Sequence, residues 1–521
     1  MNKELTDLKL IVNQLQKMMV EQEKKHLSEI KLLKEQVAYL TDKLYGSKSE
    51  KKKSQDSDKQ LYLFEDTDSE ISEEDDTDSL DDPPSKVRRG SKKPGRKPLP
   101  EGLKRIEVIH DLGEEEKRCN CGCLKSCCGR EVSEQLDYIP AKLQVIRNIR
   151  LKYACKSCEG VDDDRATVMI APLPAQLLPK SNATSGLLAH IITGKFVDSL
   201  PFYRQEKQFS RLGIDLSRTT MCNWSAKVAE KLEPLMGLIR KHVLDGNFIN
   251  ADETTFQVLK EQGRAPNTKS YMWVYRGGPP EKPALIFQYE PTRAAKAAKD
   301  FLHGFEGHVQ TDGYCGYDFI DGDPKLLHVG CFAHARRKFT DAAKAHKKIS
   351  SSKKKHASDV ALTFISDLYA VEKKATLGKM TVEERAALRQ QLTVPVLEKF
   401  KNWLDEHAIT VNPKSLLGKA ISYTIGQWTR LIQYVEYGYI TPDNNLAENA
   451  IRPFVLGRKN WLFSDTPKGA NASATLYSII ETAKSNGQEP YHYLKTVFDR
   501  LPAIENQEEL KSLLPWNVAK I

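Results

Sequence analysis

The sequence predicts a multidomain α/β chain: an N-terminal coiled coil, a small zinc-binding domain, a helical helix-turn-helix-like domain and a mixed-sheet domain. Three observations predict it. Apolar residues recur at alternating steps of three and four through the first forty-odd positions. Seven of the ten cysteines crowd between Cys119 and Cys158. After Asp245 the apolar period changes from helical to strand-like. A chain of 521 residues is long enough for several cores. The net charge of +9 favours a polyanionic partner, although weakly. The start, "MNKELTDLKL", mixes charges with apolar residues and is not a signal peptide, and no stretch approaches the roughly 18 apolar residues of a membrane span. A cytoplasmic protein without a membrane partner is expected.

Residues 1–45 read as a zipper. Leu5, Leu8, Val12, Leu15 and Met19 form one seam, and Ile30, Leu33, Val37, Leu40 and Leu44 a second. Between them Gln22 and His26 occupy seam positions and the register slips by one. Self-association into a homo-oligomer is predicted; a solvated amphipathic helix is the alternative. Residues 46–100 keep no apolar period and read as a linker, acidic from Glu65 to Asp82 and basic from Lys86 to Pro100.

Residues 101–170 carry the cysteines. Cys155-x-x-Cys158 is a knuckle whose two thiolates can share a structural Zn²⁺. Cys119 and Cys121 are the expected partners, with Cys123 as the alternative. Leu143, Val145, Ile149 and Leu151 alternate with Lys142, Arg147, Arg150 and Lys152, which predicts a strand pair with a basic face. Residues 180–240 read as helices. Gly213 breaks one of them, and Ser217 is positioned to cap the next. The first turn of that helix displays Arg218, Thr219 and Thr220, an arrangement that suits a DNA groove. A helical domain without groove contact is the alternative.

Beyond Asp245, "NFINADETTFQV", "YMWVYRG" and "PALIFQYE" read as strands and "TRAAKAAKDFLHGF" as a helix. "GHVQTDGYCGY" and "LLHVGCFAHARRKF" supply a fourth and fifth strand, the last running into a helix. Asp252 falls on the first strand and Asp312 at the end of the fourth. Each alone is an ordinary turn or strand-end aspartate. A third acid, Glu448, heads "NNLAENAIRPFVLGRKNWLF", where an i,i+4 pair with Arg452 is its local explanation. Two carboxylates about 4 Å apart repel by about 4 kcal/mol at an effective dielectric near 20. A three-acid cluster therefore needs a cation, and hard oxygen ligands suit Mg²⁺. Glu253 is the rival of Asp252, but adjacent strand residues face opposite ways.

Together "ADETTF", "TDGYCGY", "HVGCFAHARRKF" and "NNLAENAIRPFVLGRKNWLF" resemble the catalytic blocks of the insertion sequence 66 transposase family, and the zipper, cysteine and helical segments resemble it in order. The resemblance implies a ribonuclease-H-like, DDE-type DNA transposase with a catalytic core over residues 245–339 and 438–490. It further implies a helical insertion over 340–437, leaving 491–521 as a C-terminal tail. The implied triad is Asp252, Asp312 and Glu448, holding two Mg²⁺ (or Mn²⁺) ions that serve cleavage of element ends and joining of 3′-OH groups to target DNA. His334, Arg336, Arg337 and Lys338 are placed to contact phosphates near the scissile bond, with a plain basic helix face as the alternative. Arg452, Arg458, Lys459 and Trp461 are placed to grip and stack on a DNA end, although core packing also accounts for Trp461. Small accessory proteins of the same element are implied partners. The competing function is a non-enzymatic zinc-containing DNA-binding regulator or an inactivated relative.

Overall fold

The computed structural model describes residues 2–45, 143–154, 168–349 and 355–520. The linker, the cysteines expected to ligate zinc (Cys119, Cys121, Cys155 and Cys158, with Cys123 as the alternative), and the side chains of Leu5, Leu8 and Val12 lie outside what it describes. The chain divides into two compact units, residues 66–173 and the remainder. No helix among the described residues is long and apolar enough to cross a membrane.

The N-terminal helix α1 (Asn2–Tyr45) runs unbroken for 44 residues. The smaller unit contributes an antiparallel pair, β1 (Lys152–Ala154) and β2 (Val168–Ile170), with Lys152 opposite Ile170. The predicted strand is therefore much shorter than its alternation. Among the described residues no strand pairs with 143–151, and Val145 and Ile149 remain exposed.

The helical segment comprises α2 (Ser185–Phe196), α3 (Phe202–Arg211), α4 (Arg218–Lys231) and α5 (Glu233–Leu244). Ser217 caps α4 as its residue type predicts, its side chain accepting the Thr220 backbone N–H at 3.2 Å. Gly213, at φ +78°, turns the chain between α3 and α4, a conformation open to glycine without strain. Ile191, Phe209, Met221, Val228 and Ile239 are buried in the same cluster as the sheet. The helices thus share one core with the sheet and do not form a separate domain.

The sheet contains β3 (Phe248–Gln257), β4 (Lys269–Gly277), β5 (Ala284–Glu290), β6 (Gly307–Gln310) and β7 (Leu326–Val329). Its spatial order is β5-β4-β3-β6-β7, with β3, β4 and β5 antiparallel and β6 and β7 parallel to β3. The crossover from β5 to β6 carries α6 (Ala295–Phe301), whose Phe301 stacks on Tyr275 at 3.6 Å.

A second apolar cluster holds the helical insertion: α7 (Phe332–Ile349), α8 (Ala357–Leu377), α9 (Val382–Thr410), α10 (Leu416–Gly426) and α11 (Trp428–Ile432). Phe339, Phe400, Leu404, Ile421 and Tyr434 are buried there. Helix α7 crosses the expected boundary at residue 340 without a break, so one helix belongs to both the sheet side and the insertion. Fully buried Arg389 grips Glu372 through two nitrogens at 2.7 Å and donates to the carbonyls of Tyr434, Tyr437 and Ile440. That satisfies a buried guanidinium and fixes the chain leading out of the insertion. The second half of α1 packs on α7 with Leu32, Gln36 and Tyr39 partly covered, while Ile30, Leu33, Val37, Leu40 and Leu44 stay exposed.

The chain returns through α12 (Asn445–Trp461) and α13 (Pro467–Ser485). Helix α13 lies along the free edge of β5. Ser478 Oγ accepts from Phe287 N at 2.7 Å and Thr482 Oγ1 from Leu285 N at 3.0 Å, which closes an otherwise unpaired edge. The expected C-terminal tail is folded: α14 (Pro490–Arg500) and α15 (Gln507–Lys511) follow, and Leu494, Phe498 and Leu513 are fully buried.

Candidate active site

Strands β3 and β6 run parallel with Asn250 opposite Gln310. Two residues further along each chain, the same register brings Asp252 level with Asp312. Asp312 therefore lies just past the carboxyl end of β6, and Asp252 lies midway along β3, just past the stretch that pairs with β6. Asp252 donates nothing and accepts the Glu253 backbone N–H at 2.9 Å; Asp312 accepts the Tyr314 backbone N–H at 2.9 Å. Burial, together with the negative charges of Glu253, Asp312 and Glu448, pushes the Asp252 carboxyl well above the usual carboxylate range.

Glu448 enters from the first turn of α12. Its Oε2 lies 3.4 Å from Arg337 Nη2, and its Oε1 lies 3.8 Å from His334 Nδ1. Glu448 Oε1 is buried and has no hydrogen-bond partner among the described residues. Asp252 thus lies buried within reach of the charges of Asp312 and Glu448, and Glu448 keeps one oxygen unpartnered among the described residues.

A buried amide network brings α12 to the two strands. Asn250 Nδ2 donates to Gln310 Oε1 at 2.8 Å and to Asn444 Oδ1 at 3.0 Å. Asn444 Nδ2 donates to the Ala251 carbonyl at 2.8 Å, and Gln310 Nε2 to the Thr441 carbonyl at 2.8 Å. The three side chains are essentially inaccessible to solvent. They sit two residues before Asp252, two before Asp312 and four before Glu448, so one network sets all three acids. Sequence reasoning missed it. The available signal was an amide two residues before each aspartate and four before the glutamate.

Glu253 is held on the opposite side of β3, as alternation requires. Arg293 pairs with it through Nε at 2.7 Å and through Nη2, and the Tyr317 hydroxyl donates to Oε2 at 2.6 Å. The same guanidinium lies 3.6 Å over the Tyr314 ring, beside the Asp312 turn. Glu253 thus supports the turn from behind. Neither Arg293 nor Tyr317 was singled out from the sequence. The insertion also reaches this turn: a Cβ at Gly313 would lie 2.7 Å from the Tyr423 ring and hydroxyl.

The basic residues divide. Arg337 and His334 flank Glu448, whereas Arg336 and Lys338 are exposed on α7, with Lys338 Nζ 4.5 Å over the Tyr423 ring. Arg458 Nη1 reaches Thr254 Oγ1 at 3.2 Å and Thr255 Oγ1 at 3.4 Å, next to Asp252 along β3. Arg452 and Lys459 are exposed on α12. Trp461 packs edge-on against Phe256 at 5.6 Å and Phe454 at 5.4 Å, so its ring is committed to the core. Arg218 and Thr219 are exposed on the first turn of α4 and Thr220 is half-buried there, away from the carboxylates in sequence and element.

Residues 180–472 match the family model described as the IS66 family of transposases, and residues 478–516 the IS66 C-terminal element. Residues 116–159 match the zinc-finger binding domain of transposase IS66, and residues 32–108 a model described as transposase C of IS166 homeodomain. Three similar proteins come from Sinorhizobium fredii, each described as uncharacterized. The protein y4jD is 33% identical over 438 residues, covering 80% of this chain and 81% of its own. The protein y4qI is 31% identical, with 82% and 79% covered, and y4hP is 30% identical, with 82% and 77% covered.

Proposed function

Because the chain belongs to the IS66 transposase family, we propose that it cleaves the ends of its own insertion sequence and joins the freed 3′-OH groups to target DNA. What supports the reading is that Asp252, on a strand parallel to the one Asp312 follows, has its carboxyl pKa raised by burial and by the charges of both Asp312 and Glu448, the latter on a returning helix. The sheet order, an antiparallel three-strand meander extended by two parallel strands, supports a ribonuclease-H-like core.

Asp252, Asp312 and Glu448 would hold two Mg²⁺ (or Mn²⁺) ions. Bound there, the ions supply an activated attacking oxygen and charge stabilisation of the leaving one during in-line displacement. The side chains do the rest. Asp252 and Asp312 are fixed by backbone N–H groups, Glu448 by the helix it starts, and the amide network keeps the three in one geometry. Arg337 and His334 stand beside Glu448 to hold the phosphate being cut, and Arg458 lies next to Asp252 to hold its neighbour. Arg336, Lys338, Arg452 and Lys459 extend a basic surface for the flanking DNA. The α3–α4 pair reads a groove with Arg218, Thr219 and Thr220. Cys155, Cys158, Cys119 and Cys121 (or Cys123) hold structural Zn²⁺ in the zinc-finger segment. Self-association runs through the exposed seam of α1, the protein works in the cytoplasm on DNA, and small accessory proteins of the element assist it.

The test is joining of labelled element ends to plasmid DNA, with the accessory proteins present. Joining is expected with Mg²⁺ or Mn²⁺ and lost in Glu448→Gln. A wild-type protein that binds ends but neither cuts nor joins them with either metal overturns the reading.

A further inference from the structure

Cys331, three residues before His334 at the start of α7, has no role in the carboxylate chemistry proposed above, yet with His334 it meets Glu448. One ligand atom each of Cys331, His334 and Glu448 lie within 4.8 Å of one another. His334 Nδ1 and Glu448 Oε1 are both buried, and neither has a hydrogen-bond partner among the described residues. Arg337 addresses the other carboxylate oxygen, Oε2, and so leaves Oε1 turned toward the imidazole. Cys331 is itself buried, and its Sγ accepts the Asn444 backbone N–H at 3.2 Å. The sulfur thus lies between the N-termini of α7 and α12, and ligation would release its proton as the metal binds.

We propose that Cys331, His334 and Glu448 form a transition-metal site of the Zn²⁺ class, sharing Glu448 with the Asp252–Asp312 pair. Sulfur and nitrogen donors select against Mg²⁺ and for zinc or its congeners. Ligand atoms around a tetrahedral zinc stand roughly 3.3–3.8 Å apart, so closure needs side-chain shifts of about 1 Å from the separations seen. Three protein ligands leave one position open for water. Occupancy draws Glu448 toward the sulfur and nitrogen and withdraws it from the oxygen-only site. Zinc then acts as a competitor of the catalytic divalent ions. That inhibitory consequence rests on the carboxylate reading above; the ion binding itself does not.

The test is the zinc content of the full-length protein after equilibration with Zn²⁺ and removal of loose ion. Wild type, Cys331→Ala, His334→Gln and Asp252→Asn are compared, so that zinc held by the cysteine segment is common to all. One equivalent fewer in Cys331→Ala, zinc affinity at the lost site at least about tenfold weaker in His334→Gln, and no change in Asp252→Asn are expected. Far-ultraviolet circular dichroism of each variant establishes that it is folded, and His334→Gln carries the test if Cys331→Ala is not. Equal zinc content in wild type and every folded variant overturns the site. The joining assay on Asp252→Asn separates the two readings. Loss of joining with unchanged zinc content across the variants removes the zinc site alone. Retained joining removes the carboxylate reading alone.

Discussion

Asp252 is a residue that the fold holds at a cost. Burial and three negative neighbours raise its carboxyl pKa above the unfolded value, so the folded state binds its proton more readily than the unfolded state does. The sign follows: for the metal-free protein this residue lowers stability as pH rises from the ordinary carboxylate range toward the folded pKa. Asp252→Asn is therefore expected to raise the melting temperature of the metal-free protein at neutral pH, by about 2–4 °C for each ~1 kcal/mol of repulsion relieved. It should also reduce joining by at least about a thousandfold. Differential scanning calorimetry with and without Mg²⁺ checks the first part, because the ion should stabilise wild type and not the variant. Protons compete with the ion for the same carboxyl, so joining should weaken as pH falls and recover when Mg²⁺ is raised. A pH profile insensitive to Mg²⁺ concentration would contradict this.

At the scale of elements, the acids are positioned by neighbours that carry no charge. The Asn250–Gln310–Asn444 network joins β3, β6 and the start of α12. Removing one buried partner leaves others unsatisfied, at about 1–3 kcal/mol, and a misplacement of about 1 Å at a reacting centre costs about a hundredfold in rate. Asn444→Ala is expected to slow joining about a hundredfold while affinity for element ends, measured by gel shift, stays within about twofold. Gly313→Ala should slow joining through its clash with Tyr423, and Tyr423→Ala in the same chain should restore part of the loss. An equal defect in the single and double variants would show that the ring is not the cause. The strands and the Ser217 cap were legible because period and cap residue type are local signals. The amide network, Arg293 behind Glu253 and Tyr423 against Gly313 were not, since each pairs residues distant in sequence and ordinary in composition. The short β1 was misread for the opposite reason, an alternation without a long partner strand.

For the whole molecule, the heptad analysis and the packing of α1 describe different faces. Leu32 and Tyr39 turn toward α7, while Ile30, Leu33, Val37, Leu40 and Leu44 form an exposed apolar row. A coiled-coil partner would cover that row without disturbing the intramolecular contact. Leu33→Lys with Leu40→Lys is expected to weaken self-association at least about tenfold, read by light scattering across a dilution series, with the melting temperature of the folded core little changed. Identical masses for wild type and variant would rule out this seam. The C-terminal helices belong to the whole in a way their sequence position concealed, because Leu494, Phe498 and Leu513 complete the central core.

The bond between Asn250 and Asn444 spans 194 residues of chain. During synthesis from the N-terminus, the zipper, the zinc segment, the helical pair and both aspartates emerge before the residue that locks the third acid in place. A growing or prematurely ended chain therefore lacks Glu448 together with the helices that complete the core shared by the sheet and α2–α5. Folding of the shared core thus waits for the last helices, and nonsense products ending before Asn444 are expected to be unfolded by circular dichroism rather than partly working.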